Sequence, residues 1–537
     1  MNPATPVPTA WTTGTTEVFK TGTWRASLPR HIRAPSPCHA ACPVGGEIAQ
    51  WIGRARDGDL RGAWEILVRN NPFPSVAGRV CHHPCEAACN RAGFDEPLAI
   101  CRLERHVGDA ALEAGWPLPA PEAERGERIA VVGGGPSGLA AAYQLRRRGY
   151  AVTLVEAGGQ LGGLMRSGIP AYRLPRAVLD GEIARVLALG IELRLGETLE
   201  SPEALERLRR EFDAVYLATG ARRQKRLAQL DYSKPWVMDG AEWLAQANAG
   251  APPRLGRRLV VIGGGSAAMD VARSARRLGH EVTLLALERE REMPAQREEV
   301  EEALEEGVRL VDGAMLERVV ERAGQGLALE CTKVNFDARV ERIPGSGFGL
   351  EADAIVSSIG QDPELSALGS TLRTNGALLD ADARQATSAK GVYAGGDLTS
   401  TARFITEAIG MGKRAAQAIE GTLGDDARQP VKLDSIATFY YPRQARQPER
   451  RLDGVQRLKG ESEVQLAFDA AQALAESGRC FSCGECIFCD NCYYYCPDLA
   501  VSRVAGGYAV NGDYCKGCGV CVRECPTGSM EMVEELR

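Results

Sequence analysis

Sixteen of the seventeen cysteines of this 537-residue chain fall into two groups, one toward each end. The sharper group reads Cys486-x2-Cys489-x2-Cys492-x3-Cys496-Pro497 and repeats as Cys515-x2-Cys518-x2-Cys521-x3-Cys525-Pro526. Three thiolates at i, i+3 and i+6 wrap one [4Fe–4S] cube, and the distant fourth cysteine serves the other cube. The spacing therefore predicts one cluster on Cys486, Cys489, Cys492 and Cys525. It predicts a second on Cys515, Cys518, Cys521 and Cys496. The same Cys-x2-Cys pairs occur in zinc ribbons. Two complete four-cysteine runs, each ending in Cys-Pro, favour iron–sulfur and single-electron chemistry. The second group is Cys38-x3-Cys42-Pro43, Cys81-x3-Cys85-x3-Cys89 and Cys101. The i, i+4 spacing of Cys85 and Cys89 places them on one helix face.

Two glycine loops lie between the cysteine groups. Ile129 to Val132 reads as a buried strand, followed by Gly133-Gly134-Gly135-Pro136-Ser137-Gly138 and a helix. Gly133 permits the tight turn, Gly135 lets backbone approach a pyrophosphate, and Gly138 allows close helix–strand packing. The helix N-terminus faces the phosphates. Glu156 ends the next strand, where an acidic side chain can accept hydrogen bonds from a ribose 2′-OH. A similar unit runs from Leu259 through Gly263-Gly264-Gly265-Ser266-Ala267-Ala268, with Ala268 replacing the third glycine.

These residues need scaffolds. Glu47 to Ala55, Leu60 to Arg69 and Leu98 to Leu112 have helical patterns among the first cysteines. Short strands are expected at Ala214 to Ala218, Ala354 to Ile359 and Val392 to Ala394. The expected organisation is an extended arm over 1–35 and a helical iron–sulfur domain over 36–125. A dinucleotide-binding domain follows over 126–235 and 350–425, interrupted by a second dinucleotide-binding domain over 236–349; the resemblance described below makes the first FAD-binding and the second NAD(P)-binding. A polar linker over 426–475, helical near Val464 to Ala475, leads to a 2[4Fe–4S] ferredoxin domain over 476–537. The fold class is α/β, with two nested Rossmann-like domains between a helical iron–sulfur domain and a bacterial-type α+β ferredoxin. A net charge of −6 and pI near 5.8 argue against nucleic-acid or anionic-membrane partners. No run of about 18 apolar residues is present. Cysteines spaced for metal rather than disulfides point to a reducing cytoplasm.

The central region resembles the two-dinucleotide-binding-domain flavoproteins, in which the first loop takes FAD and the inserted one NAD(P)H. Tyr216-Leu217-Ala218-Thr219-Gly220 and Val392-Tyr393-Ala394-Gly395-Gly396-Asp397 carry the likeness. It implies that Asp397 binds the ribityl chain and that the helix from Ile405 points at the flavin ring. Within this group the chain resembles the glutamate synthase small subunit and the similar half of dihydropyrimidine dehydrogenase. The shared strings are Gly162-Gly163-Leu164, Gly168-Ile169-Pro170-Ala171-Tyr172-Arg173-Leu174-Pro175, Met269-Asp270, Glu292-Met293-Pro294 and Gly78-Arg79-Val80-Cys81. NADPH-using relatives carry two arginines where this chain has Leu287 and Glu288. A carboxylate repels a 2′-phosphate, so NADH is expected over NADPH. The dithiol of disulfide reductases is missing, because Cys331 is the only cysteine between 102 and 479.

The resemblance further implies two N-terminal [4Fe–4S] clusters. Relatives carry a Cys-x2-Cys shortly before the Cys-x3-Cys, and this chain does not. Its surplus pair, Cys480-x2-Cys483, lies at the other end. Cys42, Cys81 and Cys85, with Cys101 or Glu104 as fourth ligand, would hold one cluster. Cys38 and Cys89 would join Cys480 and Cys483 in another. The total is three to four clusters.

The segments Tyr495 to Val501, Asp513 to Cys518 and Glu524-Cys525-Pro526, with Thr21-Gly22-Thr23-Trp24-Arg25, resemble the delta subunit of pyruvate synthase. That likeness implies thiamine-diphosphate 2-oxoacid oxidoreductase subunits, or soluble ferredoxin, as partners. The expected function is an electron-transfer flavoprotein subunit passing electrons between [4Fe–4S] clusters and NAD(H) through FAD. Alternatives are a glutamate synthase small subunit and a non-catalytic iron–sulfur scaffold. No side chain is assigned a catalytic role, since hydride exchange between nicotinamide and flavin needs none.

Overall fold

The computed structural model describes residues 20–535, except 122, 323, 325, 338 and 425–427. Residues 1–19 of the expected arm lie outside the described residues.

The first parallel sheet has five strands, in the order Val392–Ala394, Ala214–Leu217, Arg128–Val132, Ala151–Glu156 and Glu192–Leu195. The buried apolar run Ile129 to Val132 is typical of a strand covered on both faces. Helices Pro136–Arg147 and Ile405–Glu420 pack together on this sheet. The second parallel sheet runs Arg309–Val311, Glu281–Leu285, Arg258–Ile262, Ala354–Ser357, Val237–Asp239. Ala354–Ser357 is bonded on both sides within this second sheet, to Arg258–Ile262 and Val237–Asp239. The expected boundary at 350 is thus too early. The NAD(P) unit keeps this strand, and Phe348–Ala352 pairs within its antiparallel sheet. The chain segments joining the two units pair as Arg223–Gln224 with Gln361–Asp362.

The N-terminal helices Ile48–Arg56, Leu60–Val68, Pro74–Val80 and Ile100–Glu113 bury Trp51, Trp64, Phe73 and Leu103. One apolar core continues from these helices into the first sheet and on to helix Ala470–Gly478. Helices Pro74–Val80 and Ile100–Glu113 cross closely, because a Cβ on Gly78 would strike the Arg105 backbone. That crossing brings Cys81, at the end of one helix, beside Cys101 and Glu104 on the other.

Two expectations need correction. Segment 428–469 is a strap docked on the other domains, not a free linker. Arg446 pairs with Glu86 and Glu449, Arg102 pairs with Glu449, and Arg457 pairs with Glu305, all at 2.7 Å. Val464 donates its amide to the Tyr172 carbonyl, so this stretch is extended, and the helix starts only at Ala470 behind an Asp469 capping box. Its polarity reflects ion pairing rather than solvation. The described part of the arm is also not free. Ser27–His31 pairs antiparallel with Met530–Glu534 and completes the ferredoxin domain. No helix among the described residues is long and apolar enough to cross a membrane.

Candidate flavin and iron–sulfur sites

Gly133 leaves its strand at φ 113°, and a Cβ there would overlap the Ala218 carbonyl. A Cβ at Gly138 would overlap the Gly133 carbonyl, so glycine sets the strand–helix approach. Gly135 has open space around it; its one near neighbour is the Gly163 Cα. Gly163 precedes the short helix beginning at Leu164, and Gly162 ties this loop in by donating to Gly134 O at 2.8 Å. Glu156 accepts from the amides of Gly134 and Gly158, both at 2.7 Å, at the rim of the loop. Gly396, at φ 70°, lies against Ser137, and Asp397 follows it. Burial raises the Asp397 carboxyl while Arg403 opposes the rise. Ile405 opens the helix Ile405–Glu420. Gly133, Gly135, Gly163, Glu156 and the Gly396–Asp397 turn gather at the carboxyl edge of the first sheet, where α/β proteins bind dinucleotides.

The second loop repeats the arrangement. Gly263 turns at φ 142°, Gly265 faces open space, and Ala268 is fully buried in the helix packing. Glu288 places a carboxylate oxygen 2.5 Å from where a Cβ on Gly264 would lie; Glu156 does the same at Gly134, at 3.0 Å. The two carboxylates thus hold matching positions over the two loops. Arg289 reaches instead to Asn335.

The N-terminal cysteines separate into two groups. Cys42, Cys81 and Cys85 neighbour one another and Glu104. Burial, joined by these negative neighbours, pushes Cys81 up to about 12. Glu104 is raised to about 7 by burial, against a 2.9 Å hydrogen bond from Asn71. Cys101 is turned partly away, with its sulfur 3.7 Å from Ala77 O. Cys85 and Cys89 do not share a helix face as expected. The helix stops at Ala87 and Cys89 is extended, which sends the two thiols to different groups. Cys89 faces the same cavity as Cys38, Cys480 and Cys483.

In the ferredoxin domain the sulfurs sort by the crossed pattern. Cys525 neighbours Cys486, Cys489 and Cys492. Cys496 neighbours Cys515 and Cys521, and Cys518 lies beside both of those. Among the described residues no three His, Cys, Asp or Glu side chains close on a single ion. Cys331 is buried among Leu316, Leu329 and Leu350 as an apolar residue.

Two neighbours went unnoticed in the sequence. Thr406, in the first turn of the helix after Asp397, has its hydroxyl 3.7 Å from the Cys81 sulfur. Lys413, on the same helix, donates to Val44 O and Asn70 Oδ1 near Cys42, and burial lowers it to about 8. Neither belongs to a motif; a helix facing both the flavin edge and Cys81 was the only available signal.

Fold and site define a flavin- and pyridine-nucleotide-dependent oxidoreductase with iron–sulfur domains at both ends. The chain belongs to the pyridine nucleotide-disulphide oxidoreductase family, which matches residues 127–412. Residues 32–116 match the dihydropyrimidine dehydrogenase domain II, 4Fe-4S cluster family, and 508–531 match the 4Fe-4S binding domain. The chain is 34% identical to the NADP(+)-dependent formate dehydrogenase subunit beta of Moorella thermoacetica, over 83% of this chain and 70% of the relative. It is 33% identical to the glutamate synthase (NADPH) small chain of Mycobacterium tuberculosis, over 74% and 88%. It is 32% identical to the NAD-dependent dihydropyrimidine dehydrogenase subunit PreT of Escherichia coli, over 72% and 90%.

Proposed function

We propose that this chain is the flavoprotein subunit that passes electrons between iron–sulfur clusters and NAD(H) through FAD, within a thiamine-dependent 2-oxoacid oxidoreductase. The observation that carries the electron-transfer reading is the 3.7 Å approach of Cys81 to Thr406. It joins the cysteine group to the helix that closes the flavin loop. When bound, FAD and the clusters supply the exchange between two-electron nucleotide chemistry and one-electron transfer. Gly133, Gly135, Gly138 and Gly163 make room for the FAD pyrophosphate. Glu156 would offer its carboxylate to the ribose, and Asp397 would hold the ribityl chain. Cys42, Cys81, Cys85 and Glu104 form the donor set nearest the flavin helix.

Glu288 supports NAD(H) over NADP(H). Its carboxylate lies against Gly264 as Glu156 lies against Gly134, and there it would repel a ribose 2′-phosphate. The expected result is a higher kcat/KM with NADH than with NADPH in dye reduction, and a fall in that ratio in Glu288→Ala. A strong NADPH preference in the unmodified chain would refute this assignment.

The partner assignment draws on the arm. Thr21-Gly22 and Arg25 are bonded to the loop before Cys515: Gly22 N donates to Asp513 O at 2.8 Å, and Thr21 to Tyr514 O. Two of the strings that resemble a delta subunit, Thr21 to Arg25 and Asp513 to Cys518, are therefore in contact. A second reading, delivery of NAD(P)H electrons to a glutamate-forming partner, follows the similarity to the glutamate synthase small chain. Anaerobic co-purification with mass spectrometry separates them. Thiamine-dependent subunits support the first reading, and a large glutamine-processing subunit supports the second. Failure to reduce any dye with NADH or NADPH would favour a scaffold.

A further inference from the structure

We infer that Cys38, Cys89, Cys480 and Cys483 together bind one [4Fe–4S] cluster, in a site assembled from both ends of the chain. The four thiols line a single cavity whose other walls include Ile52 and Leu98. No two of the contributing segments are close in sequence. Cys38 comes from the short helix Pro37–Ala41, and Cys89 from the turn after Pro84–Ala87. Cys480 and Cys483 follow the helix Ala470–Gly478, which packs against Ile48–Arg56 and Ile100–Glu113.

The local backbone repeats the turn found at the ferredoxin cysteines. In Cys515-x-Gly517 the third residue has φ 71°, and its amide donates to the Cys515 sulfur at 3.4 Å. In Cys480-x-Ser482 the third residue has φ 51°, and its amide donates to the Cys480 sulfur at 3.4 Å. Phe488, in Cys486-x-Phe488, has φ 53°. Positive φ is uncommon and strained for a residue other than glycine, so it persists where the site needs it. Ser482 and Phe481 are buried, so no solvent contact explains the turn.

Polar donors are aimed at the sulfurs inside this apolar cavity. Asn90 donates its amide to the Cys483 sulfur at 3.5 Å, and the Ser36 hydroxyl lies 3.1 Å from the Cys38 sulfur. On loading, each thiol releases its proton to solvent and forms one sulfur–iron bond. The inference rests on the iron–sulfur reading of the ferredoxin run and of the Cys42–Cys81–Cys85 group, and adds a fourth cluster to them.

The test uses the full chain, purified anaerobically. Iron, acid-labile sulfide, zinc and flavin are measured, with electron paramagnetic resonance after dithionite reduction. The unmodified chain is expected to carry about sixteen irons, four per cube, and no zinc. The double variant Cys480→Ala with Cys483→Ala should lose about four irons and one resonance signal. The pair Cys38→Ala with Cys89→Ala should lose the same four and the same signal. Combining all four substitutions should still lose about four rather than eight, because one site is removed twice. Cys483→Ser, which retains an oxygen ligand, should shift that signal while sparing the others, and it covers the case in which a double variant does not fold. About twelve irons in the unmodified chain, zinc at the site, or additive losses would overturn the split site. Absence of all iron would instead refute the underlying iron–sulfur reading. Retained flavin and NADH-dependent dye reduction show that the remainder is intact.

Discussion

At the scale of residues, the junction between flavin and cysteines rests on Thr406. With Cys81 as a metal-bound thiolate, the Thr406 hydroxyl becomes the donor across the 3.7 Å gap. Hydrogen bonds to cluster sulfurs raise the reduction potential by stabilising the more negative form. Thr406→Val, which keeps the shape and deletes the donor, should lower the potential of the cluster on Cys81. Thr406→Ser should restore it. A potentiometric titration followed by electron paramagnetic resonance measures both, and equal potentials in all three proteins would dismiss the bond. The open choice between Cys101 and Glu104 also belongs here. Glu104 neighbours Cys42, Cys81 and Cys85, whereas the Cys101 sulfur is turned to the Ala77 carbonyl at 3.7 Å. Cys101→Ala is therefore expected to keep the iron content of the unmodified chain. Glu104→Ala should lose or alter one cluster, seen as a changed resonance signal. The cysteine spacing made the ferredoxin groups legible because their ligands are local. It could not rank Cys101 against Glu104, because both lie on one helix and its rotation against Cys81 is a tertiary property.

Among the elements, the strap shows where sequence patterns fall short. Apolar periodicity finds helices and strands that bury hydrophobic faces, and it found both dinucleotide units and three N-terminal helices. Residues 446–465 bury guanidinium–carboxylate pairs, so they read as polar linker. Glu449 is the centre of that contact. Burial raises its carboxyl, but Arg102 and Arg446 outweigh burial and hold it down to about 2. Against an ordinary value of 4.5, this depression contributes stability that is complete above about pH 4.5. It is lost as pH falls toward about 2, and corresponds to about 3 kcal/mol. Glu449→Gln should therefore lower the unfolding midpoint at pH 7 and speed amide exchange at Gln447 and Leu452. The gap between variant and unmodified chain should close as the pH drops below about 4.5. A gap independent of pH would mean that the carboxylate charge is not what anchors the strap. The boundary near 350 failed for a related reason: Ala354–Ser357 is an apolar strand that fits either parallel sheet, and only pairing assigns it.

Over the whole molecule, the described segments nearest the two termini pair with each other. Ser27–His31 supplies a strand to the ferredoxin domain, and Arg25 pairs with Glu535 at 2.7 Å. Cys480 and Cys483 return to the N-terminal helices. Such contacts join residues hundreds of positions apart, so no local pattern predicts them; only the cysteine count hinted at one. The ligand groups follow one another along short links. Cys85 and Cys89 belong to adjacent groups, as do Cys483 and Cys486, and Cys492 and Cys496. Each link is four residues or fewer, which fixes neighbouring groups close together whatever the rest of the chain does. The Cys38–Cys89–Cys480–Cys483 group is then the sole member adjoining both the Cys81 group and the ferredoxin. Removing Cys480 and Cys483 should leave NADH able to bleach the flavin absorbance at the rate of the unmodified chain. Appearance of the ferredoxin resonance signals after NADH should slow by orders of magnitude, while dithionite still develops them. Rapid freeze-quench spectroscopy separates the two events. If both proceed in the variant as in the unmodified chain, the ferredoxin must be reached by another route, and the order of ligand groups would not describe the path.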